Sequence, residues 1–378
     1  MALMRKRDYF EIKRLHITNR PCQQNNLKAG ASNGVHLAGI INVKHEPSEN
    51  AATKKMQWGA ISIGEFAEYN IIPEIAKVSN LACFTTNDDE KATRLKNCYP
   101  HASIVADKEA LLSDPNIEAV YIGAPTQQHQ TLTKQAINAG KHVLVEKPYA
   151  IEQNFSPLPE LLIDGTRCAV GWMYRHHNRW RHILPRLQNR ELGDIRQVDF
   201  YCSYVDEHTN LRKHDLTSGG GSFARMGCYG VHIAQKLLGP DCEILFARLW
   251  KSPWGTADLR SSVGLQFGNI PVFISCAMDM QSHQHIRITT QRCIIDLPQP
   301  INPSTIEKTE IIITEHTTKK STVKCFEPNR QFREQALWFQ QPKFEYQDRR
   351  LDFRDNPRLI ADILGSAAWD SIKHPAEQ

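Results

Sequence analysis

The stretch AGKHVLVEKP, residues 139–148, decides how the chain around it is interpreted. Its apolar run, Val143 to Val145, ends abruptly in an acid, a base and a proline, as expected for a buried parallel strand that delivers functional groups at its carboxyl end. Lys147 therefore stands where open α/β sheets place their chemistry. The alternative is a capped strand that leads into a turn, with Glu146 and Lys147 as a solvated pair. The surrounding sequence has to decide between the two.

Short apolar runs alternate with amphipathic helical patterns around this stretch. The predicted strands lie at residues 58–63 (WGAISI), 81–85 (LACFT), 103–105, 117–123 (IEAVYIG), 142–145 (HVLV) and 167–173. The helix predicted after the first strand bends at Pro73. This succession predicts a parallel, doubly wound sheet with right-handed connections, so we place a dinucleotide-binding Rossmann domain at residues 56–173.

The character of the sequence changes from about Tyr174 onward. Strand-like segments follow one another at residues 195–204, 262–267, 272–280, 286–290 and 310–314, with helices predicted near 229–238 and 357–372. We therefore predict a second, α+β domain at residues 174–378, built on a large, mostly antiparallel open sheet.

Composition is that of a globular protein, with 41% hydrophobic and 23% charged residues in 378. Ten basic and four acidic side chains fall within residues 1–57, which leaves the rest close to neutral and predicts no nucleic-acid or membrane partner. The ten cysteines form no C-x-x-C pair and no spacing typical of a metal site, so we expect reduced thiols, no metal and a cytoplasmic location. We interpret residues 1–55 as a disordered or non-native extension, with Met56 as a candidate initiator and an organelle transit peptide as the alternative.

The first predicted strand leads into ISIGEFA, residues 61–67. This is an imperfect G-x-G-x-x-G/A fingerprint, with Ser62, Gly64 and Ala67 at its three positions. Gly64 allows the backbone to approach a pyrophosphate, and the helix N-terminus beyond it attracts the anion. When the motif stands alone, a plain strand-to-helix turn is the alternative.

The second predicted strand ends in Thr86 and Asn87, where an acid would bind the ribose hydroxyls of NAD. No carboxylate there would repel a 2′-phosphate, and Lys91 and Arg94 follow within two helical turns. The pattern favours NADP over NAD, with binding of both cofactors as the alternative.

Several motifs in a fixed order give the chain a family resemblance. These are WGAISIGEFA, YIGAPTQQH, AGKHVLVEKP, WMYR, ELGDIRQVDF and GGGSFARMGCYGVH, the last at residues 219–232. From about Met56 onward the chain resembles the Gfo/Idh/MocA oxidoreductases, and within them the dihydrodiol and glucose-fructose oxidoreductase branch. That branch accepts serine at the first glycine of the fingerprint.

The resemblance implies roles for individual residues. Lys147 would be the lysine of the Glu-Lys-Pro motif, bound to the substrate hydroxyl or carbonyl beside the nicotinamide, and Tyr229 would donate or relay the proton. Arg175, Arg225 and His232 would face the substrate with Tyr229, although His232 could also simply pack. The implied cofactor-binding residues are Ser62, Ile63, Gly64, Phe66, Thr86, Asn87, Ala124, Pro125, His129, Glu146 and Lys147. For His129 a structural role in capping its helix is the alternative.

One position departs from the family pattern. Arg225 stands where the family has the aspartate that binds a sugar hydroxyl. Two explanations compete: the site accepts an anionic substrate, or catalysis has been lost and only nucleotide binding remains.

We therefore predict an NAD(P)-dependent oxidoreductase that moves hydride between the nicotinamide and a small hydroxyl or carbonyl compound, such as a sugar, sugar acid or diol. The family habit of pairing through the second sheet suggests a homodimer or homotetramer. A non-catalytic dinucleotide-binding regulator of the same fold and an enzyme of the biliverdin reductase type are the alternatives.

Overall fold

The computed structural model describes residues 55–105, 107–158, 165–206 and 210–372. One parallel sheet and one mixed sheet form the framework of these residues. The extension predicted at residues 1–55 lies outside the described residues, except for Lys55. The domain boundary predicted at residue 173 falls between the two sheets along the chain and stays a prediction.

The first sheet contains six parallel strands in the order β3-β2-β1-β4-β5-β6. The strands are β1 (Gln57–Ile61), β2 (Asn80–Thr85), β3 (Ser103–Val105), β4 (Ala119–Ile122), β5 (His142–Val145) and β6 (Cys168–Val170). β4 and β5 are almost entirely buried, which accounts for their unbroken apolar sequences. The strand order reverses at β1, between β2 and β4, so the predicted doubly wound sheet is confirmed.

Helices connect these strands. They are α1 (Glu65–Asn70), α2 (Ile72–Val78), α3 (Asp89–Cys98), α4 (Lys108–Ser113) and α5 (Thr126–Asn138). Pro73 stands in the first turn of α2, where its missing N–H costs no hydrogen bond, so the bent helix predicted from the sequence is two helices. Asp88 and Asp107 cap α3 and α4 by accepting the main-chain N–H groups of Lys91 and Ala110.

The second sheet has nine strands within the described residues, in the order β14-β13-β12-β11-β7-β10-β9-β8-β15. Its strands are β7 (Ile195–Val205), β8 (Glu243–Lys251), β9 (Asp258–Phe267), β10 (Ile270–Ala277), β11 (Asp279–Thr290), β12 (Cys293–Pro298), β13 (Thr309–Glu315), β14 (Ser321–Phe326) and β15 (Ala368–Ser371). Neighbours are antiparallel except β10 beside β7 and β15 beside β8. The predicted, mostly antiparallel sheet is therefore confirmed.

Helices α6 (Asn178–Gln188), α7 (Cys228–Leu238), α8 (Gln331–Gln340) and α9 (Asn356–Ser366) accompany this sheet, with π-helical turns at Phe223–Gly227 and Leu351–Asp355. The helix predicted at residues 357–372 was wrong in its last part, because residues after Ser366 add β15 to the open edge of β8. Asp370 then accepts a hydrogen bond from Arg248 Nε at 2.6 Å. β8 itself was missed, since a bulge between Ile244 and Phe246 breaks its alternation.

The two sheets meet beside the carboxyl ends of β4 and β5. A Cβ added to Gly219 would lie 2.3 Å from Thr126 Oγ1, so the Gly-Gly-Gly loop packs tightly against the start of α5. Glu74 on α2 accepts hydrogen bonds from Arg330 and Arg333 at 3.0 and 2.8 Å, which fixes α8 against the first sheet. These contacts set the second half of the chain over the strand ends predicted to carry the chemistry.

Two kinds of feature are absent from the described part of the chain. No helix in it combines the length and the apolar character needed to cross a bilayer. In the same residues, no group of three or more His, Cys, Asp or Glu side chains is arranged to hold a metal ion.

Candidate active site

Lys147 follows β5 directly and reaches across to the second half of the chain. Its Nζ donates a hydrogen bond to the main-chain oxygen of Arg225 at 2.8 Å. The same ammonium lies 4.5 Å from the centroid of the Tyr229 ring, within the range of a cation–π interaction. The structure thus brings together the two residues predicted to be catalytic, one in the loop after β5 and the other at the start of helix α7.

Tyr229 meets this lysine with its ring rather than with its hydroxyl. The phenol donates to Met173 Sδ at 3.3 Å, and the ring lies edge-on to Trp172 at 5.5 Å between centroids. Burial raises the pKa of the Tyr229 phenol well above its ordinary value, so the hydroxyl stays protonated. Tyr229 is therefore a neutral phenol that can donate a hydrogen bond.

Glu146 is held by main-chain and phenol donors rather than by the neighbouring ammonium. Its carboxylate accepts from Tyr121 Oη at 3.2 Å and from the main-chain N–H of Lys147 at 3.3 Å. Burial raises the pKa of this carboxyl, against the opposing effect of the Lys147 charge. A Cβ added to Gly171 would come within 3.2 Å of Glu146 Oε1, so the residue directly after β6 confines the carboxylate as well.

Tyr121 is a site residue that the sequence did not single out. It lies inside the buried run of β4 and therefore resembled a core aromatic. The signal available was its hydroxyl, because a buried phenol in an otherwise aliphatic strand needs a hydrogen-bond partner. Here that partner is Glu146, beside the predicted catalytic lysine.

His129 joins two loops behind the cleft. Its Nδ1 lies 2.9 Å from the oxygen of Pro148, and its Nε2 lies 2.8 Å from the oxygen of Ala124. Burial lowers the pKa of His129 to about 4, so the ring is neutral at pH 7 and donates to one of these carbonyls at a time. Since both ring nitrogens face backbone oxygens, His129 positions the loops after β4 and β5 and offers no group to a cofactor.

Arg175 and His232 are also held away from the substrate position. The Arg175 guanidinium pairs with Asp348 and, at 3.4 Å, with Asp352. His232 is fully buried between Tyr174 Oη and Asp352 Oδ1, each at 2.7 Å. Both side chains are bound within the protein, which indicates a structural role, and their predicted substrate-facing roles stay predictions. This charged network lies beside Tyr229, since the His232 ring stacks on Trp172 with centroids 4.0 Å apart.

The turn after β1 has the features that a pyrophosphate requires. Ser62 stands in the left-handed region with φ of 57°, where glycine is the usual residue, and its N–H donates to Thr85 Oγ1 at 3.3 Å. Gly64 has φ of −74°, a value open to any residue, and a Cβ built on it would meet no atom of the described residues within 4 Å. Its own backbone therefore does not require glycine there, whereas the open space fits the close approach of a phosphate.

A cleft of about 210 Å³ continues from this turn along the edge of the sheet. Its lining comes from the ends of β1 and β2, the start of α4 and one face of α5, and consists of Ile61, Ser62, Thr85, Asn87, Asp107, Lys108, Glu109, Gln128 and Leu132. Ala124 and Pro125 lie at the start of α5, next to this line. The predicted cofactor residues other than His129 thus follow the carboxyl edge of the parallel sheet, where a dinucleotide binds in open α/β folds.

The two cations expected near a 2′-phosphate both have partners within the protein. Lys91 Nζ donates to the oxygen of Ile63 at 3.0 Å, which places its ammonium at the phosphate-binding turn. Arg94 instead pairs with Glu68 at 3.0 Å. Thr86 Oγ1 accepts the main-chain N–H of Asp88, and Phe66 is half-exposed beside Phe332 with centroids 5.8 Å apart.

Comparison with known proteins matches the first part of the chain to a family of oxidoreductases. The family model described as "Oxidoreductase family, NAD-binding Rossmann fold" (GFO_IDH_MocA) matches residues 56–157. An uncharacterized oxidoreductase of Rhizobium meliloti is 26% identical over 68% of this chain and 79% of its own length. D-xylose 1-dehydrogenase (NADP(+)) 2 of Haloferax volcanii is 22% identical over 85% of this chain and 98% of its own.

Solved structures show the same architecture. A 3-ketoreductase from Actinomadura kijaniata, in complex with NADP and TDP-benzene, superposes with a TM-score of 0.72 at 18% identity. The alignment covers 84% of this chain and 100% of that one, so both sheets are shared. At 18% identity, this likeness shows a shared fold. The family model and the two relatives agree with it, and residues 56–157 match the Gfo/Idh/MocA family of oxidoreductases.

Proposed function

We propose that this protein is an NADP-dependent oxidoreductase that transfers hydride between the nicotinamide and a hydroxyl or carbonyl carbon of a sugar-type compound. The observation that carries the proposal is the Lys147 ammonium, set between the Arg225 oxygen and the Tyr229 ring at the end of β5. The names of the Haloferax and Actinomadura proteins, a xylose dehydrogenase and a ketoreductase, support both the reaction and the substrate class.

The residues of the chain can hold the reacting oxygen and its proton. The bound cofactor supplies or accepts the hydride at C4 of its nicotinamide. An ammonium has three N–H donors, and Lys147 uses one on the Arg225 oxygen, so two remain for the substrate oxygen. In reduction the Lys147 ammonium gives a proton to the new alkoxide and becomes the amine, and in oxidation the amine form takes the hydroxyl proton and becomes the ammonium.

Tyr229 contributes in two ways to this arrangement. Its ring face stabilises the lysine ammonium, and its hydroxyl is bound only by the thioether of Met173 among the described residues, a weak acceptor. A substrate oxygen is a stronger acceptor and can displace the thioether. Tyr121 and Glu146 keep the backbone at Lys147 in place, because the carboxylate accepts from both the phenol and the Lys147 N–H.

Binding and turnover assays test this function directly. Purified protein is titrated with NADPH and NADH, and nicotinamide absorbance is then followed with aldoses, sugar acids, diols and their oxo derivatives. The proposal expects NADPH binding and turnover of at least one polyhydroxy compound. Nucleotide binding without any turnover would favour the non-catalytic regulator, for which the replacement of the family aspartate by Arg225 is the supporting observation.

Lys91 gives a prediction about cofactor choice. Lys91 lies in the first turn of α3, just after the end of β2 where the 2′-phosphate of NADP is expected, so Lys91→Ala should weaken NADPH binding about tenfold and NADH binding less than about threefold. The matched control is Arg94→Ala, whose guanidinium is paired with Glu68 and should leave both affinities unchanged. Fluorescence titration measures the two Kd values. An equal loss for both nucleotides would mean that Lys91 supports the turn and not the 2′-phosphate.

We also propose a homodimer formed through the outer face of the second sheet, at Phe246, Phe273, Tyr201 and Met280. Phe246 and Phe273 are 45% and 37% exposed, more than expected for aromatic side chains on a monomeric sheet. Phe273→Lys should therefore convert a wild-type dimer to monomer in sedimentation velocity, whereas Val323→Lys on the edge strand β14, 49% exposed, should not. A monomeric wild type, or a dimer that survives Phe273→Lys, would contradict this interface.

A cytoplasmic location also belongs to the proposal. Buried free thiols support it, because such side chains persist where the compartment is reducing. They are Cys83, Cys168, Cys202, Cys228, Cys276 and Cys293.

A further inference from the structure

Arg225 is a cationic residue next to the catalytic lysine, and no acidic side chain among the described residues pairs with it. It lies on the π-helical turn Phe223–Gly227, and its main-chain oxygen is fixed by Lys147 Nζ at 2.8 Å. Its guanidinium forms no ion pair with any described residue, and its Nε is buried without a hydrogen-bond partner. The main chain of Arg225 is therefore held in place, while its guanidinium has no partner among the described residues.

Two other arginines, the buried Arg179 and the largely buried Arg175, show how the protein binds such a group. Arg175 pairs with the carboxylates of Asp348 and Asp352. Arg179 donates to three main-chain oxygens. The fold thus supplies oxygen acceptors to the terminal nitrogens of both arginines, although Arg179 Nε has no partner, and among the described residues it supplies none to the side chain of Arg225.

The surrounding charges leave this group uncompensated. Lys147 also lacks an ion-pair partner within the described chain, since the oxygens of Glu146 accept from Tyr121 and from the Lys147 main chain. Two cationic residues are therefore in contact at the proposed site, through the Lys147 ammonium and the Arg225 main-chain oxygen, and neither has an ion-pair partner among the described residues. Desolvating an unpaired charge is costly, and a bound anion would offset this cost.

Resting on the proposed function, we propose that the substrate carries a carboxylate, which Arg225 binds while Lys147 holds the reacting oxygen. A guanidinium offers a planar pair of donors that matches the two oxygens of a carboxylate. The reaction then converts a hydroxy acid and NADP⁺ to an oxo acid, NADPH and a proton. The hydride leaves the carbinol carbon for the nicotinamide, and the hydroxyl proton leaves through Lys147 Nζ. A sugar acid is the substrate class that has both a carboxylate for Arg225 and the hydroxyl groups on which oxidoreductases of this family act.

Matched substrate pairs test the proposal. D-Galacturonate with D-galactose, D-glucuronate with D-glucose, and D-gluconate with D-glucitol each differ by one carboxylate in place of CH₂OH. For at least one pair, kcat/KM with NADP⁺ should favour the acid by about 100-fold in the wild type. Arg225→Met should reduce that preference to less than about tenfold, Arg225→Lys should retain part of it, and Arg225→Asp should favour the neutral partner.

Two further measurements separate this role from others. The Kd for NADPH should change less than about threefold in Arg225→Met, and a tenfold loss would show that Arg225 binds the cofactor. The urea midpoint of Arg225→Met should equal or exceed that of the wild type, because an unpaired charge is removed. A clear drop would reveal a structural partner. Either loss would overturn the proposal.

The remaining outcomes distinguish this proposal from the proposed function. If neutral sugars are turned over as well as the acids, the carboxylate assignment fails and hydride transfer stands. A preference for D-glucose 6-phosphate or dTDP-D-glucose would overturn the carboxylate assignment and show that Arg225 binds a phosphate group of the substrate. If NADPH does not bind, the proposed function itself fails. If NADPH binds without turnover of any compound, calorimetry of the three acids with the NADP⁺ complex decides, and absence of binding overturns the inference.

Discussion

Replacing Lys147 by methionine is expected to lower kcat about 1,000-fold while the Kd for NADPH changes less than about threefold. The reason is the position of its ammonium, which is anchored by the Arg225 oxygen and the Tyr229 ring and keeps two donors for the substrate. Methionine preserves the length and the apolar stem of the side chain. It can neither hold the reacting oxygen nor move its proton, so the loss should appear in the chemical step.

A second lysine provides the control for this substitution. Lys134 lies on α5 with its ammonium on Ser156 Oγ at 2.9 Å, at an exposed contact, so Lys134→Met removes the same charge outside the site. Its kcat should stay within about twofold of the wild type. Single-turnover kinetics with NADPH preloaded measure the hydride step itself. If Lys147→Met keeps turnover within tenfold of the wild type, Lys147 is not the residue that holds the reacting oxygen.

The parts of the site that the sequence could predict are local. Gly64 and Lys147 each follow a buried strand within three residues, so strand pattern and position at the sheet edge were enough to select them. The doubly wound sheet could be predicted for the same reason, because each βα unit consists of consecutive residues. The meeting of Lys147 with Tyr229 came from the order of family motifs, since nothing in either segment indicates the other.

The parts that the sequence could not predict depend on distant partners. Arg175 and His232 resembled substrate ligands because polar groups beside a cleft are consistent with binding, yet their partner Asp352 lies 177 and 120 residues away. The short strand β15 depends in the same way on the free edge of β8. Arg225 shows the opposite case: its departure from the family pattern was visible in the sequence, and its unpaired state required the structure.

Buried histidines are expected to make the fold sensitive to acid between about pH 6.5 and pH 4. Burial lowers the pKa of His129 to about 4 and that of His177 to about 3, and it lowers the pKa of His176 well below its ordinary value. Each ring is neutral in the folded protein and takes a proton near pH 6.5 once unfolded. Below that pH the unfolded chain binds more protons, so the free energy of unfolding falls as the pH falls. For His129 alone the loss is roughly 3 kcal/mol by pH 4.

Urea unfolding at a series of pH values measures this loss, and His129→Gln isolates one contribution to it. Glutamine keeps a donor and an acceptor for the Ala124 and Pro148 loops, so the stability of the variant should fall less steeply with acid, by up to about 3 kcal/mol across the window. His101→Gln, at an exposed position, is the matched control and should follow the wild type. Asp258 acts in the opposite direction, because burial raises its pKa to about 6 and favours the folded state as the pH falls. One such carboxyl offsets the effect of about one histidine, so the free energy of unfolding should still fall as the pH falls. Equal urea midpoints at pH 7 and pH 4.5 would show that the three histidine rings are not held neutral.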